Sequence, residues 1–333
     1  MTWLRHAISL ALSTTYALAA WNAAAGGFAI GTQSGSGTGN AYSGGAASAE
    51  DASVVWYNPA AMTALPSGKH VSSALHAIKP SFKFLDSGST FPVGTGEGGD
   101  GGDWAYIPNA YFATDLGRGW HAGVGLNAPF GLATHYDAGW RGQFTALKSE
   151  IKSLNINPAI AYKMSDTLSI GAGVSVQKLQ AKLSSFSGAA ALGNVTLKAD
   201  DIGFGFNAGV LFQPTASTRF GVSYRSSFKY ELEGDARFSG PAGALFNGDI
   251  SVNVRVPETL SFSAFRALNK NWELMADITR TGWDRVQQLV VVRTSASAGG
   301  AAGSTFTTLP FEWKDTWRFG VGANYKVNDA LKL

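Results

Sequence analysis

Residues 202–212 read Ile-Gly-Phe-Gly-Phe-Asn-Ala-Gly-Val-Leu-Phe. Ile202, Phe204, Phe206, Ala208 and Val210 alternate with Gly203, Gly205, Asn207 and Gly209. Successive side chains of a strand point to opposite faces, so one face here is apolar and the other is small and polar. The same two-residue period recurs near 120–127, 154–162, 168–177, 272–279 and 319–326. The segments near 69–85 and 104–115 alternate less cleanly, with Pro80 and Pro108 inside them. A chain patterned this way forms antiparallel sheet, because helices need a 3.6-residue period.

The connections narrow the topology. Short ones fall at 115–119, 163–167, 213–218, 268–271 and 327–330; long ones fall near 86–103, 129–147, 183–200, 231–249 and 284–311. Short and long alternate along the chain, as in an up-and-down meander with tight turns at one end and loops at the other. The expected fold class is therefore all-β, an antiparallel up-and-down β-barrel. Charged residues are 15% of the chain and Gly is 41 of 333. The positions between the apolar residues carry Gly, Ser and Asn rather than Lys and Glu, which suits a crowded lumen, with the apolar face turned to lipid. Lipid demands closure, since an open edge leaves backbone groups unsatisfied. Ten strands are clear and an eleventh could start at 329–333. Bacterial barrels have even strand numbers, so the sequence reads as C-terminally truncated.

The N-terminus reads as an export signal. Arg5 and His6 precede the apolar run 7–20, and Ala23-Ala24-Ala25 offers a cleavage site before Gly26. The run is shorter than a membrane helix. Export, a transmembrane strand pattern and closure together place the chain in a bacterial outer membrane. The net charge of +3 gives nucleic-acid binding no support, and the absence of Cys excludes disulfides and Cys-based metal centres. No cofactor and no metal are expected.

Several stretches invite chemical readings. The glycines of 35–45 do not have dinucleotide-binding spacing and follow no strand. The run 94–102 carries Glu97 and Asp100, yet its composition suits a solvated loop better than a calcium site. The five histidines have no ligand spacing, and pairs such as Ser73 with His76 lack the context of a catalytic site. No enzyme activity is expected. Leu183, Phe186 and Leu192, and then Phe238, Leu245 and Phe246, place apolar side chains in expected loops. They pack loop on loop or receive a hydrophobic ligand.

Residues 35–63 have no period of their own, but their pattern is specific. Gly35, Gly37, Gly39, Ala41-Tyr42 and Gly44, then Asp51-Ala52, then Asn58-Pro59-Ala60, resemble the N-terminal hatch of the FadL family of outer-membrane hydrophobic transporters. Further matches are Phe130-Gly131-Leu132-Ala133-Thr134, Trp140, Leu154-Asn155-Ile156-Asn157-Pro158-Ala159, Pro257-Glu258, Trp272, Trp283, Gln287-Gln288-Leu289 and Lys314-Asp315-Thr316-Trp317-Arg318. They span nearly the whole chain after the signal. The resemblance implies a barrel of roughly fourteen strands, of which about ten or eleven are present. It also implies three regions: a signal peptide over 1–25, a hatch over 26–68 and an incomplete barrel over 69–333. Hatch and gate residues would include Gly37, Gly39, Gly44, Asn58, Pro59 and Ala60. Gly26, Gly27 and Phe28 would border the ligand pocket. A strand kink at Phe130-Gly131 would form a lateral opening, and the apolar loop residues named above would capture ligand.

The partners so implied are fatty acids or aromatic hydrocarbons and outer-membrane lipids or lipopolysaccharide, with the chain a monomer. Long-chain fatty acid diffusion is the leading reading. Uptake of aromatic hydrocarbons, a structural barrel and a lipid-modifying barrel enzyme are the alternatives.

Overall fold

The computed structural model describes residues 27–89, 94, 96–328 and 331–333. The expected signal peptide, Gly26, and Asp329 with Ala330 of the possible eleventh strand lie outside them. Among the described residues, fifteen strands form one antiparallel sheet. Five crossings are continuous: β1 (Lys69–Ile78), β2 (Ala105–Gly117), β5 (Lys148–Lys163), β6 (Leu168–Phe186) and β7 (Asn194–Thr215). Five are each broken in two: β3 (Trp120–Asn127) with β4 (Gly131–His135), β8 (Thr218–Arg225) with β9 (Phe228–Phe238), β10 (Gly248–Val256) with β11 (Thr259–Ala267), β12 (Trp272–Thr281) with β13 (Gln288–Arg293), and β14 (Thr305–Pro310) with β15 (Thr316–Tyr325). The order follows the sequence, as a meander requires: β1-β2-β3-β5-β6-β7-β8-β11-β12-β15, with β4, β9, β10, β13 and β14 continuing the broken crossings. β1 and β15 end this path and do not pair with each other among the described residues.

The strands run further than the alternation suggests. β6 and β7 continue through most of 183–200, leaving a turn at 187–193; β9 and β10 occupy much of 231–249; β13 and β14 lie inside 284–311. Those stretches are therefore not long loops. The physical reason is a change of surroundings along each crossing. Near the short turns the outward residues are apolar: Phe204, Phe206, Val222, Phe262, Ile278 and Phe319 are all exposed, while Asn157, Ser175, Asn207 and Asp277 are buried inside. Beyond the breaks the pattern inverts. Phe228, Tyr230 and Leu232 on β9, and Ile250, Val252, Val254 and Val256 on β10, are buried. Lys229, Glu231 and Glu233 are exposed. The belt facing lipid thus gives way to a polar outer wall around an apolar interior, and a search for apolar-out strands stops at the boundary.

Residues preceding β1 fill the lumen of the belt. They fold as a 3-10 turn at Ser36–Asn40, the short helix α1 (Val54–Tyr57) and a second 3-10 turn at Pro59–Ala64. The last begins where Pro59 supplies a preset φ and the Asn58 side chain accepts from Ala60 N at 3.1 Å. Val55, Ala60, Ala61 and Met62 are fully buried, packed with Tyr111, Ala159, Ala161 and Leu211 of the wall.

Candidate functional site

The third crossing breaks between β3 and β4. Pairing with β5 stops at Asn127 opposite Asn155 and resumes at Gly131 opposite Lys152. Three residues, 128–130, therefore bulge against two, 153–154, which bends the strand. Ser153 holds the bulge: its hydroxyl donates to Phe130 O and accepts from Phe130 N, both at 2.8 Å. On the other side, β2 pairs with β3 no further than Ala110 opposite Leu126. Residues Ala105, Tyr106, Ile107, Pro108 and Asn109 keep their partners on β1 alone, so the wall has a gap between β2 and the bulge. Pro108 falls in this one-sided stretch, where a missing N–H costs least.

The start of the described chain is seated against the bulge. Ile30 N donates to Pro129 O at 2.8 Å and Gly131 N to Phe28 O at 2.9 Å. Behind it runs a buried polar chain. Gln33 Nε2 donates to Ile30 O and Ala128 O, Asn127 Nδ2 donates to Gln33 Oε1 at 2.9 Å, and Asn155 Nδ2 donates to Asn127 Oδ1 at 3.0 Å. The Tyr111 hydroxyl donates to Gln33 O at 2.7 Å. Buried amides of this kind are costly unless satisfied, so the chain fixes the position of residues 28–33 relative to the bulge.

Phe28 points into an aromatic cluster. Its ring centroid lies 5.6 Å from Phe130, 5.3 Å from Trp283 and 5.8 Å from Trp313. Trp283 belongs to a 3-10 turn, Trp283–Arg285, in the break between β12 and β13; Trp313 lies in the break between β14 and β15. Three broken crossings and the N-terminal segment therefore converge on one ring. The cluster continues upward into the apolar interior of β9 and β10. The break that places Trp283 is held by Arg285, bidentate to Glu258 at 2.5 and 2.8 Å. Arg280 pairs with Asp315 beside it.

The described part of the connection between β1 and β2 is pinned to the end of β4 and the residues after it. Asp137 N donates to Gly98 O, Arg141 N to Gly96 O, and Arg141 pairs with Asp86 at 2.9 Å. The Asp100 carboxyl accepts from the Ser81 hydroxyl and from Gly102 N and Phe82 N, which hold its pKa down at about 2. Asp86 is lowered chiefly by hydrogen bonds from Ser89.

The segment preceding β1 is tied to the belt by buried polar contacts. Asp277 accepts from Gly44 N at 3.0 Å and pairs with Arg318 at 2.6 Å. Arg225 stacks on Trp56 and donates to Trp56 O at 2.7 Å. Asn58 Nδ2 donates to Ala46 O at 2.7 Å and Val210 O at 3.1 Å.

The sequence-derived site residues fall into three groups. Gly27, Phe28, Phe130 and Gly131 come together at the bulge. Asn58, Pro59 and Ala60 are buried in the segment preceding β1. Gly37 and Gly44 have the close neighbours expected of packing glycines: a Cβ on Gly44 would lie 2.7 Å from Met275. Gly39 has nothing within 4 Å, so crowding does not explain it. The capture residues are spread out. Leu183 and Phe186 belong to β6 rather than to a loop, with Phe186 against Phe144 at 5.3 Å. Leu192 lies in the turn after β6. Phe238 meets Phe246 at 6.0 Å, and Leu245 is exposed. Sequence reasoning missed Trp313, Phe228, Tyr230 and the β10 valines as chamber residues. The signal available was the alternation continuing with the opposite face apolar at 250–256.

Comparison with known proteins adds to this geometry. Residues 16–333 match the family described as "Outer membrane protein transport protein (OMPP1/FadL/TodX)". The long-chain fatty acid transport protein of Escherichia coli O6:H1 is 26% identical over 362 residues, covering 96% of this chain and 77% of that protein. Outer membrane protein P1 of Haemophilus influenzae is 25% identical, covering 97% and 78%. Among solved structures, a FadL homologue of Pseudomonas aeruginosa superposes with a TM-score of 0.75 at 22% identity, covering 91% of this chain and 78% of that one. The toluene transporter TbuX of Ralstonia pickettii gives 0.66 at 21%, covering 83% and 78%. At these identities the structural likeness concerns the fold.

Proposed function

Since the chain belongs to the outer membrane protein transport family of OMPP1, FadL and TodX, we propose that, as an outer-membrane transport channel for hydrophobic molecules, it carries long-chain fatty acids and releases them sideways at the bulge. The carrying observation is the length of the apolar interior. The buried strip from Ile250 to Val256 extends about 20 Å at strand rise. That suits an extended acyl chain and is several times the size of one aromatic ring. The strip leads to Phe28 and Phe130, beside the gap between β2 and β4. Lateral release keeps the gain of about 0.8 kcal/mol per buried CH₂ that discharge into water would forfeit.

The aromatic box of Phe28, Phe130, Trp283 and Trp313 favours a second ligand class. Edge-to-face contacts of 5–6 Å among these rings form a surface of the kind that an aromatic ligand could join by displacing one of them. Uptake of labelled oleate and labelled toluene, measured in cells lacking their own transporters and expressing this chain, separates the two. Oleate uptake above the vector control supports the fatty acid reading; toluene uptake alone overturns it.

A further inference from the structure

The wall has a second defect, between the crossing of β10 and β11 and that of β12 and β13. Ladder pairing stops at Val252 opposite Val291 and resumes at Thr259 opposite Thr281. Nine residues (282–290) therefore lie opposite six (253–258). The surplus folds into the 3-10 turn Trp283–Arg285, which sends Trp283 inward and leaves Arg285 exposed. A cavity of about 210 Å³ opens there.

Its lining joins three cations to apolar groups: Lys229, Arg255 and Arg285 with Tyr230, Val286 and Leu289, and no carboxylate. The cations differ in their commitments. Arg285 is held by Glu258. Arg255 touches the Ser227 hydroxyl at 3.1 and 3.2 Å. Lys229 is exposed and makes no ion pair among the described residues. Glu231 and Glu233 lie further along β9, away from the break.

The level in the membrane identifies the ligand. Below the breaks, Tyr224, Phe262 and Trp317 are exposed on the apolar belt; above them the outward residues are Lys229, Asn253 and Arg255. The cavity sits on the side of the long connections, which in barrels of this kind faces outward from the cell. It therefore lies where outer-leaflet headgroups begin. Cationic pockets at that depth take anionic headgroups, and the apolar groups beside them can receive the start of an acyl chain.

We propose that Lys229, Arg255 and Arg285 form a binding site for the phosphate of an outer-leaflet glycolipid headgroup. The site is independent of which hydrophobic molecule the channel carries.

The test uses the purified full chain in detergent, with native mass spectrometry of adducts formed with bisphosphorylated lipid A, dephosphorylated lipid A or inorganic phosphate. Heat-modifiable migration reports folding. Lipid A should bind in a phosphate-dependent way. The Lys229→Ala/Arg255→Gln double variant should weaken it about tenfold or more, while Lys229→Arg retains it. Equal binding of dephosphorylated lipid A, inorganic phosphate bound as tightly as lipid A, or undiminished binding by the folded double variant would overturn the proposal.

Discussion

Phe28 meets Phe130 edge to face with ring centroids 5.6 Å apart, at the residue where the third crossing bulges. The same ring lies 5.3 Å from Trp283. One side chain from the N-terminal segment thus touches both the rim of the wall gap and the apolar cluster inside β9 and β10.

Truncating that ring should loosen the segment without opening the ladder. Phe→Ala in a packed cluster costs about 3–5 kcal/mol, and here the loss falls on the seating of residues 27–33. For Phe28→Ala the expected outcome is faster amide exchange over that segment, weaker binding of a fluorescent fatty acid and unchanged heat-modifiable migration. Native-like protection of 27–33 would contradict the assignment.

The seating of the segment preceding β1 depends on Asp277. Its side chain is buried and serves both Gly44 N and Arg318. Breaking a buried pair costs about 3–5 kcal/mol, and the half-exposed Arg318 places this one at the low end. Asp277→Ala should raise amide exchange at 40–48, and Asp277→Asn should do so less.

Glycines of the inner wall set the fit of the segment preceding β1. A Cβ on Gly209 would stand 1.9 Å from Asn58 Oδ1, and one on Gly221 would stand 1.9 Å from Ala46 O. Overpacking costs about 1–3 kcal/mol and would push that segment from its seat. Gly209→Ala and Gly221→Ala should therefore raise ion conductance in planar bilayers. Gly39→Ala, with no atom within 4 Å, should leave it unchanged.

The connection between β1 and β2 should be acid-sensitive. Asp100 has a folded pKa of about 2 against an ordinary 3.8. A depressed carboxylate contributes stability above the unfolded value and loses it as pH falls through the folded one. Pepsin should cut near residues 81–82 and 100–102 more readily at a pH of about 2 than at about 4. In Asp100→Asn the loop should be cut at both.

Much of the architecture is legible in the sequence. The two-residue period at 202–212 and its repeats, with alternating turn lengths, specify ten crossings in order and their apolar-out belt. Phe130 lies in the bulge and Asn58, Pro59 and Ala60 are buried, and the variants above test what these residues do. What escaped reading has a common physical origin. β9, β10, β13 and β14 leave the belt, so the apolar face changes sides and the segments look like loops. The convergence of Phe28, Trp283 and Trp313 joins residues far apart in the chain, and no local pattern carries such contacts. The crowding by Gly209 and Gly221 depends on how the segment preceding β1 meets the wall, whereas in the strand pattern they are simply small lumen residues.

Passage of ligand through the gap beside the bulge is tested most directly by Gly131→Arg. A Cβ at Gly131 would lie 2.7 Å from Ile30 Cδ1, so the arginine displaces the seated segment and places a charge in the opening. The initial rate of oleate uptake, in cells displaying a folded, heat-modifiable variant, should fall about tenfold or more; a cationic side chain at membrane depth costs about 2–4 kcal/mol. Uptake at the unmodified rate would contradict lateral release at this position.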